Sequence, residues 1–215
     1  MAASTKDRIL DVTAELFRRY GYTGTGLKQV VANANAPFGS LYHHFPGGKE
    51  QLGDAVIRRS GQMYFELVTA VFDAEPDPVR GTLAVFNGAG AVLEATDYLD
   101  ACPIATVALE VASTSEPLRV ATADVFTSWT AGVQDRFVSA GVDRRRSRDL
   151  AMLLIMSLEG AFILARATRS TEPLRIAGEA VASAVREATP PRGHAFRAEH
   201  GSPGRRPRPS RRQGR

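Results

Sequence analysis

Tyr42, His43, His44 and Lys49 fall within eight consecutive positions of a 215-residue chain. A phenol, two imidazoles and an ammonium group at that spacing suit two tasks: holding a metal ion or holding phosphate oxygens. Adjacent histidines point to different sides of a helix, and no cysteine or third histidine lies near, which argues against a metal site. Tyr42 and His43 can hydrogen-bond phosphate oxygens. Lys49 stands beside a helix start, where free backbone N–H groups already favour an anion. Thr25 opens another helix and presents a second such end. Gly39 and Ser40 are small enough to let the backbone approach a flat surface closely.

Those residues need elements to hold them. Helical periodicity runs through the chain, and no run of alternating strand residues interrupts it. A first helix spans about 5–20, capped by Ser4 or Thr5, with Ile9, Leu10, Thr13, Leu16, Phe17 and Tyr20 as its buried stripe. Gly21 ends it, and Tyr22 folds back on Phe17. A short second helix covers about 27–33 and a third about 37–43, joined by a turn in which Asn35 tolerates positive φ. That pair is a helix-turn-helix pattern, a device that seats its second helix in a DNA groove. A long fourth helix follows from Lys49 to about Ala74, beyond Pro46-Gly47-Gly48. Further helices are expected at about 79–96, 104–113, 117–140, 144–168 and 172–188, with Pro103, Pro117 and Pro173 at tolerated first-turn positions. Ser115 and Asp143 are placed to cap two of them. The fold class is all-α, with about nine helices.

Composition narrows the function. The formal net charge is +4, which suggests an acidic partner, but the charge is unevenly spread. Residues 189–215 carry eight Arg and one Glu, a balance of +7, so residues 1–188 are at −3. Within that body, residues 1–52 stand at +2 and residues 53–188 at −5. The segment from Pro190 onward is rich in Pro, Gly and Arg and reads as a disordered tail that adds non-specific DNA affinity at most. A single cysteine, Cys102, excludes an intrachain disulfide and fits a reducing cytoplasm. The start, MAASTKDRIL, lacks the shape of a signal peptide. The apolar stretch from Leu150 to Ala167 contains Glu159 and Arg166 and reads as a buried helix rather than a membrane span. The four histidines are His43, His44, His194 and His200, so none serves acid–base chemistry in the C-terminal helices. No Ser-His-Asp order, paired catalytic carboxylates or phosphate-binding Gly-rich loop is present. An enzyme and a bound cofactor are therefore not expected.

The ordered set LFRRYGY, T-x-L-x-x-V, G-S-L-Y-H-H-F and P-G-G-K-E-Q-L, between Ile9 and Leu52, resembles the TetR family of bacterial transcriptional regulators. The segments A-C-P-I-A-T, from Ala101, and L-E-G-A-F-I-L-A-R-A, from Leu158, are similar to its LmrA/YxaF-like branch. The resemblance implies a cytoplasmic homodimer, most simply a repressor released from a palindromic operator by a small-molecule effector. An activator of the same fold is the alternative, and a non-specific nucleic-acid protein the weaker one. It implies a DNA-binding domain at 1–48, a ligand-binding and dimerisation domain at 49–188 and the tail at 189–215. Phe38, Gly39 and Ser40 would then face bases, with Lys28 near, while Thr25, Tyr42, His43 and Lys49 hold phosphates. Phe38 departs from the pattern, since this position is usually basic in that branch. A Phe can pack only on a thymine methyl there.

The resemblance also implies an effector cavity for a small apolar or aromatic molecule, for which Phe86, Cys102, Phe126, Trp129, Met152 and Met156 are the candidate lining. Phe162 supplies a further apolar group. Cys102 reads as a small buried residue rather than a redox sensor. Gly160, Ala161 and Ala165 permit close helix approach. With Ile176, Ala180 and Ala184 on the last helix they suggest a four-helix dimer interface. Glu159 is assigned to that interface as a partnered carboxylate, in preference to a ligand-sensing role. The fourth helix is the expected moving part, since it starts at the DNA-facing helices and is long enough to reach the cavity.

Overall fold

The computed structural model describes residues 3–100 and 102–191. The expected tail therefore lies almost wholly outside the described residues, as do His194 and His200. Nine α-helices and no strands make up the described residues: α1 Thr5–Tyr20, α2 Leu27–Asn33, α3 Phe38–His44, α4 Gly48–Ala74, α5 Pro78–Ala95, α6 Pro103–Val111, α7 Glu116–Ser139, α8 Arg144–Thr168 and α9 Glu172–Ala188. Local chemistry sets most of the boundaries. Ser4 Oγ accepts from the Asp7 N–H at the start of α1. Asp77 accepts from Val79 and Arg80, Ser115 from Leu118, and Asp143 from Arg145 and Arg146, each satisfying N–H groups a helix start leaves open. Asn35 takes φ +46° in the turn between α2 and α3.

Burial divides the molecule into two cores. The first gathers Ile9, Phe17, Val30, Leu41 and Phe45 with Leu52 and Ile57 of α4, but also Ile104 and Val107 of α6 and Leu118 and Val125 of α7. The second gathers Phe72, Phe86, Phe137, Leu150, Leu154 and Val181, from α4, α5, α7, α8 and α9. Among the described residues, only those of α4 and α7 contribute to both cores. The first helix buries its expected stripe except Tyr20, which is exposed. The Phe17 and Tyr22 rings meet edge to face at 5.6 Å, closing the end of α1.

α8 has the length and apolarity of a membrane-crossing helix, with a mean hydropathy of 1.8 over its most apolar window. It is not the fully buried helix expected. Leu150, Ala151, Leu154, Ala161 and Ala165 face the core, whereas Leu153, Met156, Ile163 and Leu164 are exposed. Ile176 of α9 is exposed as well.

Candidate nucleic-acid interface and cavity

α3 packs through Leu41, which is fully buried, and turns its opposite side outward. Phe38 and Tyr42, one turn apart, are both exposed, and their rings lie 5.7 Å from each other. A Cβ placed on Gly39 would meet nothing within 4 Å, so this part of the helix is open to an approaching surface. His43 is exposed, Ser40 half-buried, and Lys28 exposed on α2. His44 is half-buried with its ring edge against Phe45.

Arg8, which sequence reasoning missed, fixes the helix-turn-helix geometry. Its guanidinium donates to the Ala34 carbonyl at 3.1 Å and the Asn35 carbonyl at 3.4 Å, clamping the turn to α1. Those carbonyls are 26 and 27 residues away, so no local pattern announces the contact.

Two of the expected phosphate ligands are placed differently from the rest. Thr25 is 1% exposed, and its hydroxyl donates to the Gly21 carbonyl at 2.7 Å. The inward hydrogen bond makes it a brace between the α1 terminus and α2, which corrects its assignment as a surface phosphate contact. Lys49 is half-buried. Its ammonium lies 4.5 Å from the Tyr22 ring centre and leans on the Thr23 carbonyl at 3.5 Å. Burial lowers its pKa, opposed by the nearby Glu110 carboxylate. That carboxylate accepts from the Tyr22 N–H at 3.1 Å and the Thr23 N–H at 2.6 Å, so α6 grips the loop that follows α1. Gly21 makes this possible: its φ is +73°, and a Cβ there would lie 1.8 Å from Glu110 Oε1.

A cavity of about 300 Å³ lies among α4, α5, α7 and α8, where the two cores meet. Its walls are apolar apart from Tyr64, Thr69, Asp100, Cys102, Glu159 and the Trp129 indole. The indole is already committed, donating to the Gly61 carbonyl at 2.8 Å. Cys102, Trp129 and Phe162 line the cavity. Phe126 stands one step back, its ring 5.6 Å from Trp129. Phe86 is not in the wall: it is 1% exposed and packs against Gly178 of α9, where only a glycine leaves it room. Met152 and Met156 are also absent from the wall, because they sit on the exposed side of α8.

Glu159 lines the cavity, contrary to its assignment to a dimer interface. Burial pushes its carboxyl up to about 7, against the opposing effect of the Cys102 thiol that hydrogen-bonds to it. Burial and the Glu159 carboxylate push the Cys102 thiol well up, so it stays protonated and unreactive. Asp100 belongs to two places at once. It forms part of the cavity wall, and its Oδ2 accepts from Arg18 Nε of α1 at 2.9 Å. Arg19 lies 3.6 Å from Oδ1. A separate cleft of about 330 Å³ beside Phe72, Asp73 and Pro76 holds the Arg136–Asp73 ion pair.

The remaining dimer candidates divide. Ala161 and Ala165 are buried within the protomer, in contact with the second core, and Ala184 packs there too. Gly160, Ile176 and Ala180 are exposed, as are Met152, Leu153, Met156, Ile163 and Leu164 of α8. Met152, Met156, Gly160 and Leu164 follow one another at i, i+4 spacing on α8, a series the assignment of the methionines to the cavity lining overlooks.

A clamped helix-turn-helix with an open recognition helix, set on a helical body, defines a transcriptional regulator that binds DNA. Residues 9–56 match the family model "Bacterial regulatory proteins, tetR family", and residues 78–180 match "Transcriptional regulator LmrA/YxaF-like, C-terminal domain". The chain is 31% identical over 183 residues to the HTH-type transcriptional regulator YxaF of Bacillus subtilis, covering 85% of this chain and 96% of that protein. It is 29% identical over 170 residues to LmrA of the same organism, covering 79% and 90% respectively. Among solved structures, the regulatory protein TetR from Rhodobacter sphaeroides has the same fold, at a TM-score of 0.76 and 19% identity over 85% of this chain and 99% of that one. The chain belongs to the TetR family.

Proposed function

We propose that the protein is a cytoplasmic homodimeric repressor that leaves a palindromic operator when a small apolar or aromatic effector fills the cavity. One observation carries the reading: Asp100 is a wall residue of the cavity and the anchor of Arg18 on α1. An effector that displaces Asp100 acts on the DNA-binding helices directly. By linkage, any effector that prefers the displaced arrangement weakens DNA binding by the factor that DNA weakens effector binding.

In this reading residues 1–48 form the DNA-binding unit and residues 49–188 the effector and dimerisation unit. α3 enters the major groove with Phe38, Gly39 and Ser40 toward bases and Lys28 beside them. Tyr42, His43 and Lys49 hold phosphates. The phenyl of Phe38, stacked beside Tyr42, favours a thymine methyl over a guanine edge. The outer apolar surface of α8 and α9 pairs with a second copy, giving an isologous four-helix contact. Two copies then present their α3 helices about 34 Å apart, one turn of DNA.

The test is selection of bound DNA from a random pool, followed by compound titration against the selected complex. The expected result is a palindrome bound by one dimer and released by a compound that also binds free protein. A protein that selects no sequence, or binds as a monomer, overturns the reading.

A further inference from the structure

The cavity is lopsided in charge. Among the described residues, its wall includes two carboxyl groups, Asp100 and Glu159, and no Lys, Arg or His. Asp100 is neutralised from behind by Arg18 and Arg19. Among the described residues, no Lys, Arg or His forms an ion pair with Glu159, and Arg18, the cation on this side, is engaged by Asp100. The Cys102 thiol hydrogen-bonds to Glu159, and burial disfavours the charge on that carboxyl. The Tyr64 and Trp129 rings meet edge to face at 6.4 Å in the same wall, so aromatic faces accompany the acid. A buried carboxyl left without a counter-ion in an apolar chamber lacks only a positive charge to become a favourable ion pair. Aromatic faces attract the same kind of group.

We infer that the cavity takes an organic cation, a flat apolar body bearing one positive nitrogen, with Glu159 as its counter-ion. The inference rests on the reading of this cavity as the effector site, and it specifies the class of effector. Binding would draw the Glu159 proton off, so affinity for a permanent cation rises with pH toward neutrality and then levels. The other titratable or charged groups facing this corner are Tyr64 of α4, Asp100 and Cys102 of the connection before α6, and Arg18 of α1. Burial pushes the Tyr64 hydroxyl and the Cys102 thiol upward, so both stay protonated over that range.

The experiment uses a fluorescent N-methyl styrylpyridinium cation and its uncharged, non-methylated styrylpyridine counterpart, titrated into the full chain at pH 8. The cation is expected to bind at least about tenfold more tightly, which corresponds to about 1.4 kcal/mol. Glu159→Gln should remove that preference while leaving the helical circular dichroism unchanged. Equal binding of the two probes, binding of neither, or cation affinity untouched by Glu159→Gln would each overturn the assignment. None of those results touches the effector reading itself, which is judged by release of operator DNA by any compound, charged or not.

Discussion

Glu159→Gln is expected to stabilise the protein, and to do so only above an identifiable pH. The ordinary value for this carboxyl is 4.5, and burial in the cavity wall raises it to about 7. Below about pH 4.5 the folded and unfolded chains both hold the proton, and the charge costs nothing. Between about 4.5 and 7 the folded chain keeps a proton that the unfolded chain has released, so stability falls as pH rises, by about 1.4 kcal/mol per pH unit. Across that window the loss amounts to about 3 kcal/mol per protomer, and it stays constant at higher pH. Glutamine preserves the shape and can still accept from the Cys102 thiol, but it cannot ionise. Urea unfolding of both proteins at equal protomer concentration, between pH 4 and 8, reads the difference directly, because every other titrating group cancels. The two should be about equally stable at pH 4, and the variant should lead by about 3 kcal/mol at pH 8. A difference that does not change with pH would refute the argument from burial.

Other substitutions test other joints of the molecule. Gly21→Ala forces a Cβ into positive φ and onto Glu110, releasing the carboxylate from two backbone N–H groups. A loss of about 2–4 kcal/mol in thermal or urea unfolding is expected, and undiminished stability would count against the bridge. Ile163→Glu with Leu164→Glu places two charges on the exposed apolar surface of α8. Sedimentation should then show monomers, and a persistent dimer would move the interface elsewhere. Lys49→Ala should weaken binding to all DNA sequences alike and reduce the magnitude of the salt slope by about one. A full slope would mean that its ammonium stays with Tyr22 and Thr23.

Much of the fold is written locally, and that part was legible. Ser4, Ser115 and Asp143 cap the helices they precede, Asn35 makes the turn at positive φ, and Tyr22 returns to Phe17. Each depends on residues a few positions apart. The site residues that were misread depend on partners far along the chain. α8 is apolar on several sides, and periodicity cannot say which stripe meets the core, the cavity or the outside. Sequence alone therefore assigns Met152 and Met156 to the cavity lining and Glu159 to an interface, whereas the methionines are exposed and Glu159 lines the cavity. Thr25 looked like a cap open to an anion, but its hydroxyl turns to Gly21 once α1 and α2 close on each other. Asp100 and Glu110 reach partners 82 and 88 residues away, and no spacing rule connects them.

The sharing of one core by the first three helices, α6 and the start of α7 bears on how such a regulator can be rebuilt. A chimera joined at residue 48, with a foreign DNA-reading module grafted onto this body, would cut through packed side chains rather than between modules. Ile104, Val107 and Leu118 would face strangers in a core they now share with Phe17, Leu41 and Leu52. A working graft must carry α6 and the opening of α7 along with the reading helices, or redesign those positions to suit the newcomer. Exchange of the outward residues Phe38, Gly39 and Tyr42 alone disturbs none of this packing. Retargeting by surface substitution is thus the easier route to a new operator.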